Sequence, residues 1–233
     1  MNHRIAFAFA CLLWGGACQK EDALPVCTRA CTTLTGRLLT AGGQRPLPRA
    51  EVTASWRTVR GLRGSATRKA RTETDANGFY SLSFAISDAE LADGFCQLNF
   101  AADPATYYSI GEPGFGFHDL GRDTTVQVPD YLIPRKAFVR LVLTNPDQLP
   151  AGPSYLMTCF YSCYGTNLVF SRTILGGGAC VGWNRSAAET TLPLPGDQPM
   201  MLEPFIHGNS AGVRQLDSLF VPAGTTRTYF ITY

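Results

Sequence analysis

The sequence predicts an all-β protein, with two β-sandwich domains behind a cleaved export leader. Three observations predict it. Short apolar or alternating runs recur at intervals of about ten residues, divided by clusters of Gly, Pro, Asn and Asp, which is the rhythm of sandwich strands. No stretch sustains a helical period, and only residues 87–92 (SDAELA) read as a helical turn, with Ser87 as the cap and Glu90 closing a capping box. Residues 1–17 differ in composition from everything that follows.

That opening segment reads as a signal peptide. Asn2, His3 and Arg4 form a polar start, residues 5–14 (IAFAFACLLW) an apolar run, and Gly15, Gly16 and Ala17 a small-residue cleavage site. The apolar run is too short to cross a bilayer core of about 30 Å as a lasting helix. A cysteine, Cys18, stands directly behind the small residues. This arrangement resembles the lipobox of bacterial lipoproteins, although Gly15 occupies the place where leucine is commonest. The resemblance implies cleavage before Cys18 and fatty acylation of it, with palmitate among the acyl chains. The membrane then becomes a partner through the lipid. Each buried methylene contributes about 0.8 kcal/mol, so two or more chains anchor stably. Lys20, Glu21 and Asp22 resemble an export tag that sends lipoproteins to the exterior of the outer membrane. Residues 18–30 are therefore expected to form a lipidated tether.

Cleavage leaves about 216 of the 233 residues, enough for two ordinary domains. Lys and Arg number 20 against 18 Asp and Glu, and Arg4 is the only charged side chain of the leader. The remainder is close to neutral, which argues against nucleic acid as a partner. In the first domain, placed at 31–130, strands are expected over 36–40, 51–56, 79–84, 97–101 and 124–128. A boundary falls at residues 129–134 (PDYLIP). In the second domain, 131–233, strands are expected over 138–143, 155–161, 168–174, 200–206 and 226–233.

Part of the first domain resembles a known family. Gly36-Arg37-Leu38-Leu39 fits an opening strand, Pro46 to Val52 (PLPRAEV) a "PLPGAxV" turn, and Thr74 to Leu82 (TDANGFYSL) a "TDxxGxYxL" hairpin. Together these resemble the carboxypeptidase regulatory-like domain, a transthyretin- or prealbumin-type β-sandwich. The hairpin also has a physical logic. Asp75 and Asn77 can bond nearby backbone, and Gly78 accepts the positive φ of a tight turn. Alternation then places Tyr80, Leu82 and Phe84 in the core. The resemblance covers residues 34–84 and implies an accessory role with no catalysis. The second domain has a general immunoglobulin-like look.

Six cysteines remain beyond Cys18: Cys27, Cys31, Cys96, Cys159, Cys163 and Cys180. An even number in an exported chain points to disulfides, with fifteen pairings open. In extended chain, Cys27 and Cys31, or Cys159 and Cys163, lie about 13 Å apart. That exceeds the roughly 7 Å that a bridge tolerates. Each is expected to pair elsewhere unless a turn intervenes. Zinc is the rival reading, but the spacing is not CxxC and no histidine lies close by.

Other chemistry is sparse, and no catalytic residue, metal site or cofactor is expected. Gly208 to Gly212 (GNSAG) satisfies G-x-S-x-G around Ser210, and Asp217 follows, yet no histidine occurs after His207. His118, Asp119 and Asp123 share a loop but lack a metal-site pattern, and residues 111–121 lack a phosphate-binding fingerprint. A run from Arg57 to Arg71 carries Arg57, Arg60, Arg63, Arg68, Lys69 and Arg71 with no acid. It is expected as a long exposed hairpin or loop, either balanced by acids elsewhere or in contact with anionic material. Trp56, Tyr107, Tyr108, Trp183, Tyr155, Tyr161 and Tyr164 are candidates for a sugar platform. Met157 and Cys159 alternate with Tyr155 and Tyr161, and that face reads as core. The expectation is a surface-anchored lipoprotein with a binding or scaffolding role toward a surface protein or polysaccharide. The alternatives are a carbohydrate-binding accessory protein of a glycan-uptake system and, last, a hydrolase.

Overall fold

In the computed structural model, residues 24, 27–60, 63–109, 114–149, 156–162, 179–183, 188–206 and 217–232 are described. Strand β1 (Thr32–Thr40) sets leucine and threonine in near alternation. Its pleat turns Leu34, Gly36 and Leu38 inward and leaves Thr33, Thr35 and Arg37 partly exposed. A 3-10 turn (Ala41–Gly43) and the short β2 (Arg45–Pro46) fold back on its end. Then come β3 (Glu51–Arg60), β4 (Arg63–Glu73), β5 (Phe79–Phe84), helix α1 (Asp88–Ala92) and β6 (Phe95–Ala101). The last strands of this unit are β7 (Gly114–Phe117), β8 (Thr125–Gln127) and β9 (Tyr131–Leu132).

One sheet gathers round β1, with β2 and β5 antiparallel and β8 and β9 parallel to it. The second runs β4-β3-β6-β7, antiparallel throughout. Their inner faces share one core that includes Leu34, Val52, Trp56, Phe84, Leu98 and Phe100. The expected inward face of β5 is found: Tyr80, Leu82 and Phe84 are buried and Phe79 is half exposed. Tyr80 lies opposite Gly36, and a Cβ at Gly36 would come within 2.4 Å of its Oη. The tyrosine ring thus fills the space that the glycine leaves.

The segments that carried the family resemblance are joined by one buried hydroxyl. Thr74 Oγ1 accepts from the Ala50 amide at 2.9 Å and donates to the Leu47 carbonyl at 2.6 Å. This ties the PLPRA turn to the next hairpin. Asp75 Oδ1 accepts from the amides of Asn77 and Phe79, at 2.8 and 2.9 Å, and Gly78 has φ of 78°. The Asx-turn reading of TDANGFY therefore holds in detail for Asp75. Arg49 stands where the PLPGAxV pattern carries glycine, and its φ is 56°, a conformation that glycine adopts without strain. Further on, Ser87 caps α1. Its Oγ accepts from the Glu90 amide while the Glu90 carboxylate accepts from the Ser87 amide, the expected capping box.

The second unit comprises β10 (Lys136–Leu143), a 3-10 turn (Pro146–Gln148), β11 (Leu156–Ser162), β12 (Ala179–Trp183), β13 (Glu189–Pro195), β14 (Pro199–Ile206), β15 (Asp217–Phe220) and β16 (Thr226–Ile231). Its sheets run β13-β10-β16 and β12-β11-β14-β15. They enclose a separate core that includes Val139, Leu141, Phe160, Trp183, Leu202 and Leu219. The Tyr229 hydroxyl donates to Asp217, joining the edge strands of the two sheets.

Several expectations need correction. The basic run is not an irregular loop, because residues 63–73 pair along β3 as a full strand. Tyr131 and Ile133 pack in the first core and β9 pairs with β1, so the first unit extends past the boundary placed at 130. The second core opens at Ala137. In β11 the face assignment is inverted: Phe160 and Thr158 face the core, Phe160 opposite Leu202 of β14, and Cys159 lies on the other side. The strand expected over 168–174 lies outside the described residues.

The turn geometry makes a paired prediction. Arg49→Gly relieves a left-handed residue and is expected to stabilise the protein by about 0.5–1 kcal/mol. Gly78→Ala adds a Cβ within 2.4 Å of the Leu38 carbonyl oxygen and should destabilise by more than about 1 kcal/mol. Denaturant unfolding monitored by circular dichroism checks both, and equal effects of the same sign would contradict the turn assignment.

Candidate functional site

The basic segment forms a long antiparallel hairpin. The β3–β6 ladder ends at Arg57 opposite Phe95, whereas the β3–β4 ladder continues to Arg60 opposite Arg63. Residues 58–65 therefore project beyond β6 as a two-stranded ribbon. Near the base of the hairpin the charges are met by acids. Lys69 Nζ lies 2.8 Å from Glu90, and Arg71 lies 2.8 Å from Glu51. Burial pushes the Glu90 carboxyl up, but hydrogen bonds from Lys69 and Ser87 outweigh it and hold it below the usual carboxylate range. Arg57 is partly exposed and Arg68 exposed, and the side chains of Arg60 and Arg63 lie outside the described residues.

Register sorts the outer face of this sheet into rows. Arg57, Phe95 and His118 belong to one row, in which the Phe95 and His118 rings stack at 4.7 Å. The next holds Arg68, Ser55, Gln97 and Gly116, and a third holds Arg71, Thr53, Asn99 and Gly114. Gln97 Nε2 donates to Asn99 Oδ1 at 3.1 Å, so the two amides are mutually fixed. Sequence reasoning missed this face, because β7 read as part of a glycine-rich loop. The signal was present in GFGF, where Phe115 and Phe117 pack against the core and the alternate positions carry glycine.

The cysteines divide three ways. Cys159 and Cys180 stand opposite each other on β11 and β12 and are bonded, with a Cα separation of 4.1 Å. Cys27 and Cys31 are bonded to each other, against the expectation that each pairs elsewhere. The chain bends at Arg29 and Ala30, where φ at Ala30 is 49°, and brings the Cα atoms to 5.8 Å. Cys96 is a free thiol at a core-facing position of β6, which corrects its expected place in a disulfide. Burial pushes it up to about 12. Cys163 lies outside the described residues, as do Cys18, Lys20, Glu21 and Asp22.

Most of the proposed sugar platform is not surface. Trp56 and Trp183 are buried, with indole nitrogens donating to the Asp93 carbonyl and to Thr158 Oγ1. Tyr107 and Tyr108 are half-buried, and Tyr107 pairs with Arg135 in a β-bridge. Tyr155, Tyr164 and the side chain of Tyr161 lie outside the described residues. So do His207 and Ser210, while Asp217 is engaged by Tyr229. Among the described residues no cluster of three or more His, Cys, Asp or Glu could hold a metal, and no helix is long and apolar enough to cross a membrane.

No protein-family model matches the sequence, and no curated protein matches it. Among solved structures, the Bacillus anthracis TIE protein superimposes with a TM-score of 0.33 at 12% identity, covering 87% of this chain. This chain spans only 34% of that protein's. The shaft pilin SpaA from Lactobacillus rhamnosus GG gives 0.31 at 9% identity, covering 87% of this chain and 97% of the pilin. GBS52, the minor pilin of Streptococcus agalactiae, gives 0.30 at 13% identity over 86% and 94%. Overlaps of this size assign neither a family nor a function.

Cys96 gives the site analysis a chemical check. A maleimide at pH 8 should leave it unmodified in the folded protein and label it on denaturation, as read by peptide mapping. Native labelling at the rate of a free thiol would contradict the buried placement. The folded thiol keeps its proton to about pH 12, whereas the ordinary value is 9.0. Its contribution to stability is thus complete below about pH 9 and is lost as pH rises toward 12.

Proposed function

We propose that this protein is a lipoprotein of the outer membrane, held at the cell exterior by acyl chains on Cys18, with a non-catalytic binding or scaffolding role. The observation that carries the reading is the Cys159–Cys180 disulfide. Bonds of this kind persist outside the reducing cytosol, where a leader ending at a lipidated cysteine would deliver the chain. The first sandwich is best read as a carboxypeptidase regulatory-like domain, because Thr74 and Asp75 hold its two motif turns together. Modules of that kind serve as accessory or stalk elements. A non-catalytic role is supported by how the polar groups are used: Thr74, Asp75, Ser87 and Asp217 are each engaged in holding turns, a cap or strands.

Metabolic labelling of the full chain with an alkyne fatty acid tests the anchor. The wild-type protein should incorporate label and partition with outer membranes, and Cys18→Ser should lose both. Replacing Lys20, Glu21 and Asp22 with alanine should keep the label but protect the protein from protease added to intact cells. An unlabelled, freely soluble wild-type product that retains Met1 would overturn the reading.

A further inference from the structure

Two features of the β4-β3-β6-β7 sheet are not required by the fold. The first is Gly116. A glycine inside a strand costs roughly 0.5–1 kcal/mol relative to alanine, and glycine there often marks a close approach of another molecule. At Gly114 packing demands it, since a Cβ would lie 1.9 Å from the Leu98 carbonyl oxygen. At Gly116 a Cβ would meet Gln97 Oε1 and the Phe95 ring at 3.8 Å, an ordinary contact on the exposed side. Packing does not exclude a side chain there. Its absence leaves the flank of Phe95 and the fixed Gln97–Asn99 amide pair uncovered.

The second feature is the charge of the adjoining hairpin. Residues 52–72 carry six basic residues and no acid. The register places Arg60 opposite Arg63 at the end of the projecting ribbon, and like charges at opposed positions weaken a ladder. Arg57 and Arg68 lie in the rows beside Phe95 and Gln97 on the outer face. A basic strip therefore runs alongside the glycine-cleared amides.

We propose that this outer face binds an acidic polysaccharide, with its carboxylates at Arg57 and Arg68 and its sugar rings laid over Gly116 against Phe95, Gln97 and Asn99. The guanidinium fork matches a carboxylate in two parallel hydrogen bonds. The internal bond of the amide pair leaves Asn99 Nδ2 as a donor and Gln97 Oε1 as an acceptor, which suits neighbouring hydroxyls. Opposite charge steers the polymer to the strip. The inference deepens the binding role proposed above and is independent of Cys18, so either can fail without the other.

The test is calorimetry on the full chain in nonionic micelles, with polygalacturonate as probe. Dextran serves as the neutral control, and phosphatidylglycerol vesicles as an anionic surface without sugar. Polygalacturonate should bind and dextran should not. The double change Arg57→Gln with Arg68→Gln should weaken binding about tenfold or more, since hydrogen bonds to charged groups contribute about 1.5–3 kcal/mol. Gly116→Val, which adds a side chain on the open side, should weaken it while leaving the melting temperature within a few degrees. No binding of polygalacturonate, equal binding of dextran, binding of vesicles alone, or unchanged affinity in both variants would each overturn the proposal.

Discussion

The first sandwich depends on one strand that is bonded along both edges. On one side of β1, Leu38 donates to the Gly78 carbonyl at 2.8 Å and β5 runs antiparallel. On the other, Thr33 donates to Thr124, Val128 to Thr35 and Ile133 to Leu39, at 2.8, 2.7 and 2.9 Å. An open strand edge invites pairing with another chain, and here β8 and β9 occupy it. Those strands reach β1 only after the chain has traversed the whole opposite sheet, so the last segment of the unit is fastened to its first. The same run then continues into Pro134, whose carbonyl accepts from Tyr108, and Lys136, which donates to Thr106. The second sandwich grows directly from this fastening.

This arrangement explains what could be read in the residues beforehand. The hairpin TDANGFY was legible because each of its signals is local. Asp75 bonds amides two and four residues away, Gly78 supplies a backbone conformation, and the alternation after it separates Phe79 from the buried Tyr80. The Ser87 cap was legible for the same reason. What could not be read is set by partners far along the chain. Residues 63–73 are mostly basic or small and show no strand pattern, yet β3 supplies a complete ladder for them. Tyr131 and Ile133 looked like the start of a new domain until their pairing and packing with the first became visible.

The second sandwich was less legible, and its cysteines show why. Cys159 reads as an apolar residue, so the alternation in β11 suggested a buried face through 155, 157, 159 and 161. A bonded cross-strand pair behaves differently, because it can close across the outer side of a sheet. Cys159 and Cys180 do so, leaving Thr158 and Phe160 to meet the core and Thr158 to accept from Trp183. The Cys27–Cys31 bridge was misread by treating the chain as extended, when a residue with positive φ was enough to close it. The candidate surface on the first sandwich was missed in a related way. It is assembled from rows that cross strands, and no stretch of sequence contains more than two of its members.

Both the shape of the first unit and the outer face that faces solvent opposite its core follow from β1 holding the two ends of that unit together. Hydrogen–deuterium exchange of the full chain, resolved by peptide, tests this most directly. Amides of residues 33–39 should exchange only with global unfolding, more slowly than those of the edge strand at 114–117. Exchange of residues 33–39 as fast as that edge, with the rest of the sandwich still protected, would contradict the account.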